Sequence, residues 1–143
     1  MEEPAKVRVL FLCSANSCRS QMAEGLLRHM AGNRFEAASA GTYPTGLHPM
    51  AVKIMKEIGI DISTQQSKSV DSMISKNFDY IITVCDRARQ SCPIFPASAV
   101  VLHWDLEDPA EVQGSEEVKR KAFLRVREQL TGLIKEFIKR DLR

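Results

Sequence analysis

Cys13 opens the run Cys13-Ser14-Ala15-Asn16-Ser17-Cys18-Arg19-Ser20, and it directly follows the apolar stretch Val7–Leu12. The order predicts a strand with a thiol at its end, a loop of small residues, and a helix opening at Arg19 toward Met22, Leu26 and Leu27. Small residues at Ser14, Ala15, Asn16 and Ser17 let successive backbone N–H groups turn inward, and the helix N-terminus adds a positive dipole end. Arg19 can fork two hydrogen bonds onto a tetrahedral anion. The same field favours the thiolate of Cys13, the form in which sulfur attacks. Asn16 tolerates the left-handed backbone such a loop needs, and the Ser20 hydroxyl is within reach of the Cys13 sulfur. Cys18 reads as a structural thiol inside the loop.

Two further cysteines extend the chemistry. Cys85 ends a second apolar stretch, and Cys92 follows across Asp86-Arg87-Ala88-Arg89-Gln90-Ser91. Parallel strands would bring Cys85 out of the sheet at the same edge as Cys13, while Arg87 and Arg89 favour thiolate there. If this stretch were helical, residues seven apart would lie about 10.5 Å apart along the axis, beyond the roughly 7 Å Cα limit of a disulfide, so a Cys85–Cys92 bond requires a looped segment. Structural zinc sites pair cysteines at shorter intervals than Cys13-x4-Cys18 and Cys85-x6-Cys92, and His29, His48 and His103 fall near neither pair, so no metal site is expected. Asp108-Pro109 follows His103-Trp104 at the same edge. A carboxyl group there can protonate a departing oxygen, with Asp105 and Glu107 as local alternatives and a simple turn as the competing role.

The elements that must position these groups alternate. Strand patterns occur at Val7–Leu12, Phe35–Ala38, Asp79–Val84 and Ala99–Leu102; helical patterns occur at Arg19–Met30, His48–Ile58 before Gly59, and Val70–Ile74. A last helix, entered at Ser115-Glu116-Glu117, carries the stripe Val118, Ala122, Val126, Leu130, Leu133, Ile134 and Phe137 toward a sheet face. The alternation predicts an α/β fold of three layers, a four-stranded parallel sheet in flavodoxin-like order with Val7–Leu12 central and helices on both faces. With 143 residues, 44% of them hydrophobic, one domain spanning residues 1–143 is expected.

Charge and composition narrow the partners. The formal charge of +2 singles out no polyanion, and the basic residues after Lys119 end a helix that begins with acids, as its dipole favours. Nucleic-acid binding is therefore not expected. No apolar run reaches the length of a membrane span, and Met1-Glu2-Glu3-Pro4 does not open a signal peptide, so a cytoplasmic, membrane-free monomer is expected. Four cysteines in that compartment read as catalytic or redox thiols rather than as a disulfide framework.

The run Cys13 to Ser20 with Gln21-Met22-Ala23-Glu24-Gly25, then Ser39-Ala40-Gly41, Thr83-Val84-Cys85, Cys92-Pro93 and His103-Trp104 through Asp108-Pro109, resembles the thioredoxin-coupled arsenate reductases. These share the fold of the low-molecular-weight protein tyrosine phosphatases. The resemblance implies that Cys13 attacks arsenate while the loop amides and Arg19 hold its oxygens and Asp108 protonates the leaving one. It implies that Cys85 then attacks Cys13 and releases arsenite, that Cys92 takes over the disulfide, and that thioredoxin reduces it. No metal or organic cofactor takes part in such an exchange, and phosphate or sulfate would be substrate analogues. Some members of the family bind potassium beside the loop with an acidic residue; here Lys68 stands at about that place, and its ammonium is expected to replace the ion. Hydrolysis of phosphomonoesters through a phosphocysteine is the alternative, since the same cradle fits phosphate. The phosphatases of this type carry tyrosine after Asp-Pro, where this chain has Ala110-Glu111-Val112. A redox sensor without catalysis would explain the thiols but not the cradle.

Overall fold

The computed structural model describes residues 5–85 and 99–141. Four strands, β1 (Val7–Cys13), β2 (Phe35–Gly41), β3 (Tyr80–Thr83) and β4 (Val100–His103), form one parallel sheet in the order β2-β1-β3-β4. The expected order is the observed one, with β1 second from the edge and flanked on both sides. In β1 the consecutive residues Val9, Leu10, Phe11 and Leu12 are all fully buried, as are Ile81 and Ile82 in β3. Side chains alternate between the two faces of a strand, so both faces of the central sheet are covered, as parallel sheets require.

Among the described residues three helices accompany the sheet: α1 (Arg19–Ala31), α2 (Pro49–Lys56) and α3 (Glu116–Arg140). Each start has a local cause. Ser115 Oγ caps α3 by accepting from Val118 N, with Glu116 and Glu117 in the first turn and Lys139 and Arg140 in the last, the polarity the dipole favours. His48 caps α2 through Nδ1, which accepts from Met50 N at 3.1 Å, and Pro49 occupies the first turn, where no N–H is needed. Beyond the end of α2, Gly59 takes φ +80°, the left-handed stop its sequence position suggests.

Several boundaries differ from the sequence pattern. Strand β2 runs three residues past Ala38, because Ser39, Ala40 and Gly41 continue its pairing with β1 up to Cys13↔Gly41 despite weak strand propensity. The segment near Val70 is a single 3-10 turn, Val70–Ser72, rather than a helix. On α3 the inward stripe holds Ala122, Phe123, Val126, Leu130, Ile134 and Phe137, whereas Val118 is exposed and Leu133 only half-buried. The contact near the start of α3 is made by Phe123, whose ring lies 4.9 Å from that of His48. Gly41 permits a close approach of two backbone segments: a Cβ there would lie 2.7 Å from Ser14 O and 2.9 Å from Asn16 N. Only glycine lets β2 pass that near the loop after β1.

Candidate active site

Loop 14–18 joins β1 to α1 at the carboxyl edge of the sheet. Its carbonyls are all taken from outside: Ser14 O accepts from Tyr43 N at 2.7 Å, Ala15 O from Thr45 N at 3.0 Å and Ser17 O from His48 N at 3.0 Å. Asn16 O accepts from Gln21 Nε2 at 3.1 Å. Every peptide bond among the described residues is trans, and a trans peptide directs its C=O and the following N–H to opposite sides. The amides of Ala15, Asn16, Ser17 and Cys18 therefore face inward. Asn16 N marks the direction, since it donates to Cys13 Sγ at 3.2 Å. Cys18 occupies the N-cap of α1 with no capping side chain, and the first turn carries no acid, so the positive helix end joins the same concavity.

Asn16 is the keystone of this loop. It sits at φ +47° and is fully buried. Its Oδ1 accepts from Lys68 N at 2.9 Å and Gln21 Nε2 at 3.2 Å, and its Nδ2 donates to Ser20 Oγ at 2.8 Å. Ser20 Oγ lies 2.8 Å from Cys13 Sγ. Because Asn16 already donates to that hydroxyl, the Ser20 proton is left to point at the sulfur. Cys13 itself is 2% exposed. The expectations for Asn16 and Ser20 are both met, while the support from Lys68 N, the clearance at Gly41 and the Gln21 side chain, which joins Asn16 to Gln66 O, are features that no local pattern announces.

Arg19 crosses from the cradle to the segment after β4. Its guanidinium donates to Leu106 O at 3.2 Å and pairs with Asp108 Oδ2 at 3.5 Å. Asp108 Oδ1 meanwhile accepts from Ala110 N at 3.0 Å, capping the 3-10 turn Pro109–Glu111. The turn role and the position facing the site thus coexist in one carboxyl group. Among the local alternatives, Glu107 points elsewhere, to Arg125 of α3, whose guanidinium holds that carboxyl below the usual range.

Cys85 leaves β3 beside the cradle, 6% exposed, with its Sγ 4.0 Å from Ser14 Oγ. Cys18 is different: burial pushes its thiol up to about 12, against a hydrogen bond with Ser17 that lowers it. Its thiol is buried and held in the protonated form. Cys92, Arg87 and Arg89 lie outside the described residues. Lys68 Nζ sits 4.0 Å from Glu24 Oε1, an oxygen that also accepts from Ser39 Oγ at 2.6 Å. No cluster of three or more metal-ligating side chains occurs among the described residues.

The unit of buried thiol, inward amides and arginine lies within residues 8–143, which match the family low molecular weight phosphotyrosine protein phosphatase. The chain belongs to this family. Within it, the chain is 47% identical over 129 residues to the arsenate reductase of Bacillus subtilis, covering 90% of this chain and 93% of that one. Among solved structures it is similar to a thioredoxin-dependent arsenate reductase of Corynebacterium glutamicum, at 32% identity and a TM-score of 0.75. That match covers 94% of this chain and 61% of the longer one. A low molecular weight protein tyrosine phosphatase from T. tengcongensis superposes with a TM-score of 0.76 at 29% identity, over 94% and 99% of the two chains.

Proposed function

We propose that this enzyme reduces arsenate to arsenite by a relay of three thiols. The thiolate of Cys13 attacks the arsenic of an arsenate held by the loop amides and Arg19; a sulfur–arsenic bond forms and one oxygen departs as water with a proton from Asp108. The thiolate of Cys85 attacks the Cys13 sulfur. A Cys13–Cys85 disulfide forms, the sulfur–arsenic electron pair stays on arsenic, and arsenite leaves with As(V) reduced to As(III). Cys92 then attacks Cys85, freeing Cys13 and leaving a Cys85–Cys92 disulfide for a thioredoxin dithiol to reduce. Two thiols supply two electrons, so the cycle balances without metal or flavin.

The observation that carries this reading is Cys85 beside the cradle, at Ser14 Oγ. A phosphatase has no use for a second thiol there. The relatives named arsenate reductase and the thioredoxin-dependent structural neighbour support the same choice. Hydrolysis of small aryl phosphates is a side reaction of the same cradle, limited by the absence of an aromatic wall at Ala110-Glu111-Val112. The enzyme is proposed to act as a single-domain cytoplasmic monomer; no helix among the described residues is long and apolar enough to cross a membrane.

The test couples the protein to thioredoxin, thioredoxin reductase and NADPH. Arsenate-dependent NADPH consumption, lost on omission of thioredoxin, is the expected result. Robust phosphatase turnover without arsenate-dependent consumption would reverse the assignment.

A further inference from the structure

Asp108 lies in a stretch without regular structure between β4 and the Pro109–Glu111 turn, and something must keep its carboxyl in place. Two of its restraints lead to Arg19, through Leu106 O and through Asp108 itself. Arg19 is also the side chain that must turn to a bound oxyanion. Its planar guanidinium moves as one piece, so turning it toward a bound oxyanion shifts Nη1 and Nη2, the groups that reach this segment, and weakens the anchoring of the acid when the acid is needed.

One side-chain anchor of the segment does not pass through the cradle. Arg125, on α3, grips Glu107 with both arms: Nε to Oε1 at 2.9 Å and Nη2 to Oε2 at 3.3 Å. A two-armed guanidinium fixes the plane and the direction of a carboxylate, which a lysine ammonium cannot do. Glu107 sits between Leu106, whose buried side chain fills the core, and Asp108. Holding it fixes the backbone immediately before the acid. Arg125 and Glu107 are 56% and 39% exposed, so the pair adds little to folding stability, and its effect falls on geometry.

We infer that Arg125 and Glu107 are positioning residues for the reaction, an external clamp that keeps Asp108 aimed at the leaving oxygen while Arg19 is engaged by the anion. The inference rests on the reading of Asp108 as the acid. Neither residue touches the cradle, so the clamp acts on turnover and not on capture of the anion.

The experiment compares the unsubstituted enzyme with Arg125→Ala, Glu107→Ala, the double variant, Arg125→Lys and Asp108→Asn in steady-state arsenate reduction. The clamp predicts that Arg125→Ala and Glu107→Ala each lower kcat about tenfold, within the loss that misplacing a reacting group by ~1 Å produces. KM for arsenate and the urea midpoint stay close to those of the parent. The double variant loses no more than either single one, the signature of two residues acting as a unit. Arg125→Lys recovers only part of the loss, because it restores charge without the fork. Unchanged kcat in both alanine variants, additive losses, or a rise in KM with kcat retained would each overturn the clamp. Asp108→Asn separates the two ideas: if it leaves kcat intact, the acid assignment fails and the clamp with it. If it lowers kcat while the alanine variants do not, the clamp alone fails. Should the parent reduce no arsenate, the same variants are compared on phenyl phosphate hydrolysis, where the clamp predicts the same tenfold loss, and absence of both reactions removes both readings.

Discussion

The loop after β1 and the segment after β4 meet at Arg19, yet they are held by different means. Around Cys13, four carbonyls, one buried asparagine and a serine hydroxyl are tied by hydrogen bonds reaching as far as Lys68, fifty-two residues away in sequence from Asn16. Around Asp108 there are a self-made cap, an ion pair at 3.5 Å and an exposed clamp. The first region is fixed by a buried network; the second is held by a few contacts at or near the surface, which set the direction of the Asp108 carboxyl more than the stability of the fold. Substitutions in the loop should therefore cost stability as well as rate, and substitutions in the acid segment should cost rate alone.

The largest effect is expected at the reacting atom. Cys13→Ser should reduce arsenate turnover to background, and Cys92→Ser should allow at most one turnover, seen as a single stoichiometric burst of arsenite by mass spectrometry or inhibitor-free quench. Several cycles from Cys92→Ser would remove the third thiol from the relay. Asp108→Asn should lower kcat by about 10²–10⁴, the range of a lost general acid. Its urea-unfolding free energy should shift by under about 1 kcal/mol. Asn16→Ala should show the converse pattern. It strips three hydrogen bonds from a buried site and leaves an alanine at positive φ, so a loss of about 2–4 kcal/mol in unfolding free energy is expected along with activity. Equal stability losses at Asn16 and Asp108 would break the contrast.

Smaller effects sharpen it. The Cys18 thiol is raised to about 12 in the folded chain from an ordinary value of 9.0. A group that holds its proton more tightly when folded stabilises the fold fully below its unfolded value and loses that contribution as pH rises toward the folded one. Stability should thus fall more steeply between pH 9 and 12 in the parent than in Cys18→Ala, measured by urea unfolding at stepped pH. Last, if the Lys68 ammonium fills the place of a cation beside Glu24, exchanging sodium for potassium should leave the melting temperature unchanged, and a clear potassium-specific rise would refute it.

Much of this site can be read from residue order because the nucleophile, the loop, Arg19 and Ser20 are contiguous. Cys85 and Asp108 are also legible, since a parallel sheet sends every strand's end to one edge. What the order of residues does not carry is support from a distance. Gly41 matters because its missing Cβ clears Ser14 O, and Gln21 matters because it spans Asn16 and Gln66; neither shows a periodicity. The same limit explains Phe123 replacing Val118 on α3, where burial was decided by the position of His48 rather than by helical spacing alone.

The inward amides have one more consequence. Peptide N–H groups set by the covalent backbone measure an anion by charge and tetrahedral shape, and phosphate satisfies both as well as arsenate does. Discrimination between the two then does not lie in capture, and phosphate competes with arsenate for the cradle. In the proposed relay fidelity is chemical: only on arsenic can Cys85 take the sulfur and leave an electron pair behind, and a bound phosphate departs unchanged. On that reading phosphate is a reversible competitor, and raising its concentration raises the arsenate concentration needed for a given rate.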